Sequence, residues 1–141
     1  MRFLTKVKDG GPNSPVDAYV LLEIKPLFSI MLLKFNPGSR GIYHSHAFNA
    51  LTWFLKGNMW EEQPDGEVNQ YRRSFLPKFT PRRMLHNVVS YTTSWCFTIR
   101  GPWEDQWEEH DGLKITTLTH GRKIIKEEIW DGRERKALGQ V

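Results

Sequence analysis

Apolar residues in this chain fall in short runs or alternate with polar ones, and turn residues separate them at close intervals. Val16 to Glu23 and Phe28 to Phe35 are two runs rich in Val, Leu and Ile, divided at Lys25-Pro26, each short enough to be one strand. Asn36-Pro37-Gly38 turns the chain, after which Ile42 to His46 and Leu51 to Leu55 are predicted strands with a break near Asn49. Lys56-Gly57-Asn58 is the next turn; Met59 to Gln63 then runs into Pro64-Asp65-Gly66, and Gln70 to Phe75 returns as its partner. Pro77 and Pro81 flank a loop that enters His86-Asn87-Val88-Val89. Ser94 to Arg100 is an apolar strand with Trp95, Phe97 and Ile99 on one face, stopped by Gly101-Pro102. Trp103 to Gly112 is acidic and aromatic, and Leu113 to Leu118 is a short strand. Residues 121–141 form a charged C-terminal tail, read as a strand to Ile129 followed by a frayed end, with a short helix as the rival. Many short strands with frequent turn signals predict an all-β sandwich or barrel.

Composition narrows the class without changing it. The 141 residues fit a single domain spanning 1–141, large enough to bury a core unaided. Hydrophobic residues make up 39% and charged residues 26%, as in a soluble globular protein. No apolar run approaches the roughly 20 residues of a membrane span. The N-terminal segment has no apolar core followed by a small-residue cleavage site, so the expectation is a cytoplasmic protein without membrane partners. The net charge of +4 suits anionic ligands but is too small and scattered to predict nucleic-acid binding.

Three histidines carry the candidate chemistry: His44 and His46 within Gly-Ile-Tyr-His-Ser-His, and His86 after Thr-Pro-Arg-Arg-Met-Leu. His-x-His on a strand points both imidazoles to one face, because side chains alternate with a period of two. A third imidazole from a neighbouring strand completes a site for a first-row transition metal rather than calcium or magnesium. Tyr43 and Ser45 then point the opposite way. Glu61 and Glu62 follow on the next strand, only one of them facing inward, where it would replace a ligand or act as a base; Glu62 is the catalytic candidate, and a solvated pair is the rival reading. Among Arg72, Arg73, Arg82, Arg83 and Arg100, the last ends an apolar strand at a Gly-Pro turn and is the best candidate to clamp an acidic group. Cys96, between Trp95 and Phe97, is a packed small hydrophobe rather than a nucleophile. His110 and His120 are expected at the surface, and some of the six tryptophans in a cavity or a subunit interface.

Residues 38–90 resemble the cupin superfamily of RmlC-like jelly rolls. Gly38, His44, His46 and Gly57 fall on the spacing of the first cupin motif, about 38–57, while Pro81 and His86 match the second, about 77–90. In the second motif Arg83 stands where the family has glycine and Ser90 where it has asparagine. The glutamate of the first motif falls on Ala50 or Leu51, neither of which binds metal. The resemblance is therefore to the three-histidine cupins typified by thiol dioxygenases, although Leu51 stands where the cysteine of a Cys-Tyr crosslink is expected. Thr98-Ile99-Arg100-Gly101-Pro102 followed by Trp103 is similar to a stretch of some small cupins.

The resemblance implies a homodimeric double-stranded β-helix barrel with one divalent transition metal, Fe(II) first and Zn, Ni or Mn as alternatives, on His44, His46 and His86. It implies a non-haem iron dioxygenase acting on a small polar or anionic substrate. The rivals are a non-catalytic cupin that binds a small molecule or nucleotide as a sensor, and a metal-dependent hydrolase, isomerase or lyase.

Overall fold

A computed structural model describes residues 1–138. The chain forms β1 (Arg2–Lys8), β2 (Val16–Ile24), β3 (Phe28–Phe35), β4 (Gly38–Ser39), β5 (Tyr43–His44), β6 (Ala50–Lys56), β7 (Met59–Glu62) and β8 (Val68–Tyr71). It continues with β9 (Lys78–Thr80), β10 (Asn87–Ser90), β11 (Ser94–Arg100), β12 (Trp107–Asp111), β13 (Lys114–Thr119), β14 (Lys123–Trp130) and β15 (Arg135–Ala137). A single 3-10 turn at His120–Arg122 is the one helical element among the described residues. The strands pair antiparallel into three sheets, in the orders β1-β2-β3-β11-β6-β9, β4-β10-β7-β8 and β15-β14-β13-β12-β5.

The six-stranded and four-stranded sheets close on a shared core. Ala18, Val20, Met31, Phe54 and Cys96 of the larger sheet belong to one buried cluster with Met59 of β7, and Tyr71 and Val88 pack against it. Each inward residue is separated from the next by one outward residue, the period of a pleated strand. β11 runs down the middle of the large sheet between β3 and β6. Its inward residues are Ser94, Cys96, Thr98 and Arg100, all buried, so the face holding Trp95, Phe97 and Ile99 turns outward and is only half covered. This strand is more apolar outside than in.

Gly57 makes the tight turn from β6 to β7 at a positive φ of 104°. A Cβ there would lie 2.1 Å from Ser94 Oγ and 2.7 Å from Ser94 Cα, so both backbone angle and space demand glycine.

Three sequence expectations change. Arg2–Lys8 is a strand that its charged, alternating sequence did not reveal; it is exposed almost throughout and held by its ladder to β2. Trp107–Asp111, expected only as an acidic aromatic segment, is β12, paired between β13 and β5. The tail does not fray after Ile129 within the described residues. The Asp131 carboxylate accepts from the backbone N–H groups of Arg133 and Glu134, and this turn sends Arg135–Ala137 back along β14 as β15. The rival helix is not adopted, and residues 139–141 of the expected frayed end lie outside the described ones.

Candidate metal centre

The histidines meet because a backbone bridge puts two of them side by side. His44 and His86 exchange both N–H to C=O hydrogen bonds, 3.0 and 3.1 Å, as an isolated antiparallel pair. Directly opposed residues project their side chains to the same face. His46, two residues after His44, donates its backbone N–H to the Arg82 carbonyl at 2.9 Å, which keeps the strand direction and returns the third imidazole to that face. The rings stand edge to face with centroids 4.8–4.9 Å apart. One nitrogen from each ring lies within 4.8 Å of the other two.

The protonation of the cluster suits a metal. Burial, then the neighbouring His86 and the Arg40 charge, pull the His44 pKa down to about 3. Burial, with His44, His86 and Arg100 adding to it, holds His46 well below the ordinary histidine value. Both are neutral imidazoles at neutral pH. His44 Nδ1 and His86 Nε2 are buried without a hydrogen-bond partner, a costly condition that a bound cation would relieve. An all-imidazole donor set fits a first-row divalent transition ion and does not fit oxygen-seeking calcium or magnesium.

Glu61 rather than Glu62 faces the histidines. On β7, Met59 and Glu61 point inward and Trp60 and Glu62 outward. Glu62 stands across from Asn87, whose Nδ2 reaches its Oε2 at 3.5 Å, away from the three rings. The Glu61 carboxylate lies 2.7 Å from His86 Nδ1, is paired with Lys78 and accepts the Tyr71 hydroxyl at 3.2 Å. Burial pushes its pKa up, but the hydrogen bonds and charges of His86 and Lys78 prevail and hold it at about 2. An ionised carboxylate only accepts, so His86 carries its proton on Nδ1 and offers the Nε2 lone pair. Such a carboxylate behind a histidine orients the ring and strengthens it as a ligand. Replacing Glu61 with glutamine should weaken metal affinity by about 10- to 100-fold. Titration against a chelating indicator measures this, and unchanged affinity would remove Glu61 from the centre.

The three imidazoles open on a cavity of about 490 Å³ inside the barrel, apolar around Val20, Met31 and Cys96 and charged near the histidines. Arg100 lies on its wall, 5% exposed, with both terminal nitrogens on Asp9, at 3.0 Å to Oδ1 and 2.7 Å to Oδ2. Its guanidinium also covers the Phe48 ring at 4.4 Å. Burial opposes ionisation of Asp9, yet the Arg100 charge and hydrogen bond hold its pKa below the ordinary carboxylate value. Arg40 and Arg122 share Glu109 on the same side of the cavity. Ala50 lines the cavity and Leu51 points outside.

The other sequence candidates lie apart from the centre. Arg72, Arg73, Arg82 and Arg83 do not line this cavity. His110 bonds Glu108 at 3.1 Å, and His120 is exposed against Trp103. Burial pushes the Cys96 thiol up to about 12, and its Sγ contacts Met59 Sδ at 3.6 Å, a packed and unreactive group. Trp103 and Trp107 line the cavity. Sequence reasoning did not single out Asp9, Arg40, Tyr71 or Lys78; Asp9 is far along the chain from the histidines, whereas Arg40 precedes His44 by only four residues and had no pattern to mark it.

No protein-family model and no curated protein matches the chain. Solved structures do. A cupin domain from Bordetella pertussis superposes with a TM-score of 0.51 at 22% identity, covering 65% of this chain and 98% of that one. The polyketide cyclase RemF from Streptomyces resistomycificus gives a TM-score of 0.59 at 18% identity, over 70% of this chain and 73% of that one. The iron(II) form of HppE gives 0.56 at 10% identity, over 68% of this chain and 55% of that one. The fold of this chain is therefore the cupin jelly roll. At these identities the likeness is one of fold, and the chemistry must be argued from the site. No helix among the described residues is long and apolar enough to cross a membrane.

Proposed function

We propose that this protein is a metal-dependent cupin in which His44, His46 and His86 hold one divalent transition ion, Fe(II) foremost, and that it oxygenates a small anionic substrate. The observation that carries the proposal is the meeting of three imidazoles with two buried, unpartnered nitrogens and no carboxylate among them. HppE, of the same fold, was solved with iron(II), which supports the choice of metal. Bound there, such an ion supplies Lewis acidity and, as iron, one-electron chemistry toward dioxygen.

The chain's own groups do the rest. Neutral ligands leave the ion's charge uncompensated, so the cavity favours an anion. Glu61 fixes the His86 ring and its tautomer. Arg100 presents a planar pair of N–H donors shaped for a carboxylate, and the apolar wall around Val20 and Met31 excludes water from the substrate's body. The active form is a homodimer.

The test is metal analysis of protein purified without chelators, followed by oxygen uptake with thiol and amino-acid substrates. About one iron per chain with substrate-dependent oxygen consumption supports the oxygenase. Zinc, nickel or manganese with hydrolase, isomerase or lyase turnover and no oxygen uptake would replace it with the non-oxidative reading. Absence of metal with a co-purifying ligand would leave a binding protein.

Arg100 gives a separate expectation. Because Asp9 occupies its donors, Asp9→Asn should tighten binding of a small dicarboxylate such as malonate by about tenfold, ~1.4 kcal/mol. Tryptophan fluorescence reads this through Trp103 and Trp107. Weaker or equal binding would show that Arg100 is a structural cation only.

A further inference from the structure

We propose that the loop between β8 and β9, residues 72–77, docks this protein on an anionic lipid surface, with Phe75 and Leu76 inserted among the lipids and Arg72 and Arg73 against their phosphates. This goes beyond the functional reading above and does not depend on the metal. It replaces the expectation of no membrane partner, because contact of this kind needs no spanning segment. Phe75 is 88% and Leu76 79% exposed, the barest large apolar side chains among the described residues after Met1. The loop is built to hold them out. Ser74 donates its backbone N–H to the Phe54 carbonyl of β6 at 3.0 Å, and its hydroxyl accepts the Leu76 N–H at 3.1 Å, which anchors the bend and leaves Phe75 at its tip.

Charge names the partner. The chain has no aspartate or glutamate between Glu67 and Glu104, a stretch that holds Arg72, Arg73, Lys78, Arg82, Arg83 and Arg100. The modest net charge of +4 is therefore unevenly spread. Arg100 is answered by Asp9 and Lys78 by Glu61, whereas the other four arginines have no carboxylate partner among the described residues. Arg72, Arg73 and Leu76 line one surface depression, and no acidic residue lines it with them. The Arg73 guanidinium lies over the Phe75 ring at 5.8 Å, so the apolar tip and the positive charge form one surface. β9 then carries the chain in three residues, about 10 Å, to the loop that bears Arg82 and Arg83.

A bilayer is the partner that fits this combination. A tip of two apolar side chains is far below the ~800 Å² that a stable protein interface buries on each partner. An anionic membrane asks for less: a few inserted apolar groups with cations beside them at the depth of the phosphates. Nucleic acid would also answer the arginines, but base stacking needs an open aromatic face, and here Arg73 lies over Phe75 while Leu76 offers no ring.

Co-sedimentation of the full chain with lipid vesicles tests the proposal. The protein is expected to pellet with phosphatidylcholine vesicles containing about 30% phosphatidylserine and to stay in solution with phosphatidylcholine alone. Each arginine beside such a surface contributes about fivefold in affinity, so Arg72→Gln with Arg73→Gln should weaken binding by about 25-fold. Phe75→Glu with Leu76→Glu should abolish it, and the exposure of both positions leaves folding undisturbed. Leu113→Glu, 63% exposed in the turn between β12 and β13, should bind as wild type does. A wild type that ignores the anionic vesicles, or one that binds them and still does so after Phe75→Glu with Leu76→Glu, overturns the proposal. A single-stranded oligonucleotide that binds more tightly than the vesicles and is lost with the same arginines would put nucleic acid in place of lipid.

Discussion

Replacing His46 with alanine is expected to strip the protein of its metal. His44 and His86 are tied to each other by a backbone bridge, whereas His46 supplies the third corner of the triangle from two residues further on. Without it two imidazoles remain, with no carboxylate close enough to substitute, since Glu61 is engaged by His86, Lys78 and Tyr71. Loss of one of three ligands should lower affinity by on the order of a thousandfold, ~4 kcal/mol, enough to empty the site during purification. Fold retention is expected, because His46 packs on Phe48 at the cavity edge rather than in the sheet core. Elemental analysis with circular dichroism of the same sample decides the matter: metal retained at wild-type level would refute the centre. His110→Ala, a histidine outside the cluster, should keep full occupancy.

Replacing Gly57 with alanine should cost about 3 kcal/mol, combining left-handed backbone strain with a collision against a neighbour that cannot withdraw. The neighbour is Ser94, fully buried, whose Cα as well as Oγ would sit inside contact distance of the new methyl. Ser94 Oγ also receives the Asn58 N–H and is in hydrogen-bond contact with Ser90, so moving it breaks the turn that joins β6 to β7. The melting temperature should fall by roughly 10 °C. Gly66→Ala separates the two causes: its φ is +89° but the space around it is open, so only the backbone strain remains, about 1 kcal/mol. Equal losses at the two positions would show that the contact with Ser94 is not tight.

The strands of the jelly roll and the three-histidine cluster were legible because each rests on a local pattern. Apolar runs mark β2, β3, β6 and β11, and a His-x-His spacing needs only strand alternation to bring two rings together. β1 was hidden because its stability comes from pairing with β2, not from burying its own residues. β12 was hidden by Glu108, Glu109 and Asp111; the first two are answered by arginines distant in sequence, Arg135 on Glu108 and Arg40 on Glu109. The choice between Glu61 and Glu62 turned on the phase of β7. Met59 and Trp60 are both apolar, so the pattern alone does not say which of the two faces in. Asp9 could not be chosen from sequence at all, because only the closed barrel brings it to Arg100.

That last pairing has a consequence for selectivity. A carboxylate arriving at Arg100 meets a guanidinium whose two donors are already satisfied, so it gains only what it offers beyond Asp9. Opposite charge is then no longer sufficient for admission. On the proposed reading, ligands would be sorted by how well the rest of the molecule fits the cavity while its acid group performs an exchange, and simple salts, which bring charge without shape, would bind weakly.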